Sequence, residues 1–171
     1  MTKLLSDLIG MPIYEDSMPT RPVALIRDAI VDPENGSLIA FMTHRRKILL
    51  LRDTRFFQSV FFVHSADDLL AQDEVIRVDK ILQKCPSLLG LPVYTNKNNV
   101  FIGRIVDLEL DITVGQLVNM YTSKLFLFVR YDERILSAKN IVEIHSDRII
   151  VKDTSAIKEP KKNEVEELAM A

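Results

Sequence analysis

A chain of 171 residues, 47% hydrophobic and 27% charged, can bury a core as one ordinary domain or as two small ones. Its formal net charge of -2 excludes the broad attraction to polyphosphate expected of a strongly basic DNA or RNA coat protein. A single cysteine, Cys85, excludes an intramolecular disulfide, and no run reaches the ~18 apolar residues of a membrane span, so the expectation is a cytoplasmic protein.

In chain order, Leu8-Ile9-Gly10-Met11-Pro12-Ile13-Tyr14 opens a β-rich stretch. Ala29-Ile30-Val31, Leu38-Ile39-Ala40-Phe41-Met42 and Ile48-Leu49-Leu50-Leu51 are short apolar runs at close spacing and predict strands. Asp32-Pro33-Glu34-Asn35-Gly36 predicts the hairpin turn between the first two, since Pro presets φ and Asn and Gly accept the left-handed region. Thr43-His44-Arg45-Arg46-Lys47 predicts a second, cationic tip. The stretch Arg52 to His64 follows, with Phe56-Phe57 and Phe61-Phe62 placing aromatic side chains on both faces of an extended chain. Asp79 to Ser87 reads as a short connector with one helical turn ended before Pro86, its Ile81 and Leu82 expected between two packed units. Ile105 to Leu110 alternates as a strand with one face inward, and beyond Asp153 apolar periodicity is lost, which predicts a mobile charged tail over 154–171. Within the tail, Val165 to Met170 is a candidate helix on a partner.

The pattern repeats. Gly10, Pro12 and Tyr14 recur as Gly90, Pro92 and Tyr94 at an offset of 80, and Ile26, Asp28, Asp32, Gly36 and Leu38 recur as Ile105, Asp107, Asp111, Gly115 and Leu117 at an offset of 79. A looser continuation aligns 65–69 with 137–141 and 75–78 with 149–152. The predicted organisation is therefore a first β unit over 1–78, a connector over 79–87, a second unit over 88–153 and the tail.

Gly-x-Pro-x-Tyr, then Ile-x-Asp, Asp and a glycine turn resemble the PRC-barrel family across about 5–78 and 85–152. Members are small β-barrels found in the photosynthetic reaction-centre H subunit, in the ribosome maturation factor RimM and as stand-alone proteins. The resemblance implies two small antiparallel PRC-type barrels in tandem acting as a docking scaffold, not an enzyme. The second copy matches better, because Gly103 supplies a small residue where the first copy has Ala24.

Candidate sites follow from residue chemistry. His44, His64 and His145 fall at unrelated places in the repeat, so no nucleophile and base are paired, and lone Cys85 with no paired histidines predicts no metal and no cofactor. Asp28/Asp32 and Asp107/Asp111 would lie about 13 Å apart along a strand at ~3.3 Å per residue, too far to share a proton, and are expected to hold the turns. Gly10, Pro12, Gly36, Gly90, Pro92, Gly103 and Gly115 complete the structural motif. Arg45, Arg46, Lys47, Arg52, Arg55, Phe57 and Phe61 are the candidate partner-binding residues. The expected partner is a protein; a ribosome or RNA contact through the basic tip, and self-association through the aromatics, are the alternatives.

Overall fold

The computed structural model describes residues 1–57, 60–126 and 129–153. The chain is mainly β and forms two seven-stranded sheets. The predicted tail lies outside the described residues. The chain begins with β1 (Thr2–Leu4) and a four-residue helix α1 (Leu5–Leu8). Next come β2 (Pro12–Glu15), β3 (Met18–Val31), β4 (Leu38–Thr43), β5 (Ile48–Leu50), β6 (Arg55–Phe57), β7 (Val60–Val63) and β8 (Leu69–Leu70). A helix, α2 (Ile76–Lys84), leads into β9 (Pro92–Thr95), β10 (Phe101–Asp111), β11 (Gln116–Phe126), β12 (Val129–Ser137), β13 (Ile141–Ile144) and β14 (Ile149–Val151).

Sheet order in the first unit is β6-β7-β2-β3-β4-β5-β8, and in the second β12-β11-β10-β9-β14-β13 with β1 added on β10. The repeat is legible bond by bond. Gly10 N–H donates to Ile26 C=O as Gly90 N–H donates to Ile105 C=O, both at 2.8 Å, and Asp16 N–H to Val63 C=O is matched by Asn96 N–H to Val151 C=O. Neither unit is wholly antiparallel, as the sequence reading expected: β2 pairs parallel with β7, and β9 parallel with β14. Alternation of side chains shows which residues share a face but not strand direction, so this pairing left no trace in the pattern.

The looser half of the predicted alignment is corrected as well. Since β7 and β14 hold equivalent places, the counterpart of the 3-10 turn Ala138–Asn140 is Leu51–Asp53, and the segment 65–69 instead forms a further 3-10 turn, Ala66–Asp68, that leads into β8, which pairs with β5. No β8 counterpart lies on β12 among the described residues, and β12 keeps a free edge whose Arg130, Asp132, Glu133 and Arg134 discourage further pairing.

Helix α2 is nine residues long, not one turn, and starts at Ile76. Its Val78, Ile81 and Leu82 are buried against Ile30, Ala40, Ile48 and Leu50, all from the first unit. Ile81 and Leu82 therefore cover the outer face of the first sheet and do not sit between the units. A larger cluster runs through both units, joining Leu5, Leu8, Ile13, Phe41 and Phe61 to Val93, Ile105, Leu108, Leu110 and Met120. The two repeats share one core, which suits units individually too small to bury much apolar surface.

Candidate functional site

The repeats meet at their hairpin turns. Leu38 N–H donates to Gly115 C=O and Leu117 N–H to Gly36 C=O, each at 2.9 Å, with Ser37 and Gln116 forming an antiparallel bridge between them. These reciprocal bonds define an approximate two-fold axis. Gly36 and Gly115 both adopt φ +71°, a conformation glycine enters without the Cβ penalty, and each turn closes on the preceding aspartate carbonyl at 2.8 Å.

Each member of the acidic pairs holds backbone. Asp32 accepts from Glu34 N–H at 3.0 Å and from Arg77 at 2.7 Å; burial alone would raise its carboxyl, but these bonds and the Arg77 charge hold it below its ordinary value. Asp111 is held below its ordinary value mainly by the Val114 N–H, then by the N-terminal ammonium at 3.0 Å and the Thr113 N–H. Asp28 and Asp107 stand where the ladder slips, between Ile26/Asp28 and Ile105/Asp107, and each accepts the next residue's N–H at 2.8 Å, occupying a donor the bulge disturbs. Each also meets a residue from across the axis: Ser6 donates to Asp107 from N–H and hydroxyl, and the Ser87 side chain lies close to Asp28. Burial pushes the Asp28 carboxyl above its ordinary value, opposed in part by Ser87, the Ala29 N–H and the Arg27 charge.

Gly103 shows why the second copy needs a small residue. A Cβ there would stand 2.8 Å from the Ser123 carbonyl oxygen on the adjoining strand, closer than real contacts allow. Ala24 pairs with Ile13 as Gly103 pairs with Val93, so the first unit tolerates a methyl at the equivalent place.

The candidate partner-binding residues do not converge on one patch. Arg45, Arg46 and Lys47 form the exposed β4–β5 tip, with Arg46 at φ +57°, and none has an ion pair among the described residues. Arg45 and Lys47 line a groove that also carries Asp67 and Glu74, which offsets their charge. Arg55 is paired to Asp16, and Arg52 lies 3.6 Å from Asp53. Phe57 is 63% exposed, whereas Phe61 is fully buried, with its ring 5.1 Å from Phe41 and 4.7 Å from Phe56. Phe61 is therefore a core residue and is withdrawn as a contact. One step along β7 from Val60 turns a side chain to the other face, and only the core contacts decide which face is inward.

Two grooves lie between the repeats, where the sequence reading expects an inter-repeat groove without naming its lining. The first, about 680 Å³, lies between Thr113-Val114-Gly115 of the second repeat and Ile39, Leu51, Arg52 and Arg77 of the first. The second, about 750 Å³, is its counterpart across the axis, with Glu34-Asn35-Gly36 facing Val118, Lys139 and Val142. Of the candidate partner-binding residues, Arg52 lines the first groove; Gly36, Asp111 and Gly115, expected to be structural, also line the two grooves. The equivalent of Arg52, Lys139, occupies the second groove.

Among the described residues no group of three His, Cys, Asp or Glu is arranged to hold a metal ion, and no helix is long and apolar enough to cross a membrane. A duplicated β unit whose acids and glycines brace turns, with open grooves along the seam, defines a class of small two-repeat β scaffold. The second repeat is a PRC-barrel domain: the model of that family matches residues 83–158. The likeness of the first repeat rests on the bond-for-bond correspondence above. Comparison with curated proteins finds no match.

Proposed function

We propose that this protein is a non-enzymatic adaptor that docks protein partners along the seam between its repeats. The observation that carries this reading is the first groove, where exposed Val114 and partly buried Ile39, Leu51 and Phe56 are flanked by the Arg52 and Arg77 side chains. Apolar surface beside a few cationic donors suits a peptide or loop with apolar anchors and carboxylates. The PRC-barrel domain of the second repeat supports an interaction module at the same coarse level. Turn-bracing acids leave no carboxylate pair for acid-base work on this reading.

The test is a tagged pull-down from native lysate, with and without nuclease, comparing the wild-type chain with Arg52→Glu/Val114→Glu. A discrete, nuclease-resistant set of proteins lost in the double variant is the expected outcome. A wild-type chain that retains nothing under gentle conditions overturns the reading.

A second reading, a ribosome- or RNA-associated factor, is favoured by the β4–β5 tip, whose exposed Arg45, Arg46 and Lys47 have no ion pair among the described residues. It predicts nuclease-sensitive partners lost in Arg45→Ala/Arg46→Ala/Lys47→Ala and falling steeply with salt.

A further inference from the structure

The two grooves are related by the approximate two-fold axis but differ in charge. Every charged side chain lining the first is cationic, Arg52 and Arg77, whereas the second is lined by Glu34, Asp111 and Lys139. Arg52 is 81% exposed and Val114 69% exposed, so neither a buried counter-ion nor neighbouring apolar packing satisfies them fully. The ligand that complements this surface is an acidic amphipathic segment, its carboxylates at the guanidinium rim and its apolar residues on the floor.

This chain carries such a segment. Glu164-Val165-Glu166-Glu167-Leu168-Ala169-Met170 places Val165, Leu168 and Ala169 on one face at helical spacing, with three carboxylates beside them. Its reach is sufficient. The described chain leaves the fold at Asp153, which is bonded to Lys97 beside the β9–β10 end of the second sheet. From there β10 runs from Phe101 to Asp111, next to the first groove, a path of about 33 Å if fully extended. Residues 154 to 164 can span up to about 36 Å. Charge then selects between the grooves, since the second presents the exposed Glu34 carboxylate whereas the first presents Arg52, 81% exposed and 3.6 Å from Asp53.

We propose that residues 164–170 dock in the first groove, so that the chain's own tail occupies the surface assigned above to protein partners. This rests on the groove reading of the adaptor. The tether makes docking intramolecular, and a partner must present a competing acidic amphipathic segment to displace it.

The experiment uses the full-length chain with Cys85→Ala and Met170→Cys, carrying a nitroxide at position 170 and read by amide resonance broadening. Selective broadening at Ile39, Thr113 and Val114 is expected, lost with Arg52→Glu or with Glu164→Lys/Glu166→Lys/Glu167→Lys, and regained when those changes are combined. Groove amides that are never selectively broadened, or broadening indifferent to Arg52→Glu, overturn the proposal. If the amides stay sharp while Arg52→Glu/Val114→Glu still abolishes partner capture, tail docking fails and the adaptor reading stands. If the amides broaden but no partner is ever captured, tail docking stands and the adaptor reading fails.

Discussion

Asp28 lies on β3 and Asp32 just past its end, yet burial and bonding drive their carboxyls in opposite directions. A carboxyl held low in the fold stabilises above its unfolded value and loses that contribution as pH falls through the folded value; one held high does the reverse, stability falling as pH rises between the unfolded and folded values. Asp32, Asp111 and Asp132 are of the first kind, so thermal stability should fall below about pH 4 as they protonate. Asp32→Asn should cost about 1 kcal/mol at neutral pH, because Arg77 is more than half exposed and screened. Asp28→Asn should leave the melting temperature unchanged or raised at neutral pH, since an amide oxygen still accepts the Ala29 N–H and no buried charge remains. Melting both variants from pH 3 to 8 checks the pair, and equal losses at neutral pH would contradict it. The sequence spacing made both acids structural and both turns recognisable. Their opposite titration comes from tertiary burial, which prevails at Asp28, and from Arg77, 45 residues from Asp32, which with the Glu34 N–H outweighs it there.

At the scale of elements, the β6–β7 segment separates core from surface within four residues. Phe61→Ala should cost about 3 to 5 kcal/mol in urea unfolding, as expected for an aromatic ring removed from a packed core. Phe57→Ala should change stability by less than ~0.5 kcal/mol. A large loss at Phe57 would show that its ring is packed and not available to a partner. The sequence announced that paired phenylalanines must face both ways, but period two is symmetric to exchange of the faces. Helix α2 was underestimated for a related reason: its apolar residues Val78, Ile81 and Leu82 lie on a stripe that has meaning only once the first sheet offers an outer face to cover.

For the whole molecule, the two repeats exchange their entry segments. β1 and α1 precede the first repeat but dock on β10 of the second, while α2 precedes the second repeat and lies on the first sheet. Separation therefore strips each repeat of a neighbour's strand or helix and opens the shared core. The chain over 83–153 alone is expected to be unfolded or self-associated, pairing its Gly115 turn with that of a second copy. Analytical ultracentrifugation with circular dichroism tests this, and a folded monomer would sink the shared-core argument. The β4–β5 tip stands at the opposite end of β4 from the Ser37–Gln116 bridge, since the strand runs from Leu38 to Thr43 between them. The basic tip Arg45-Arg46-Lys47 and the inter-repeat grooves are thus separate surfaces and can be tested independently.

The sequence by itself determined the duplication, the mainly β character, the two glycine turns and the turn-bracing role of Asp32 and Asp111, whereas Asp28 and Asp107 brace bulges instead of the expected turns. Each of these is a local demand: positive φ at a turn, a carboxylate near unpaired N–H groups, apolar runs of strand length. Only the tertiary structure decided the parallel pairs, the inward face of Phe61, the place of α2 and the unlike charge of the grooves. Those depend on which distant segments pack together, and contacts such as Leu38 with Gly115 join residues whose neighbourhood no local pattern encodes.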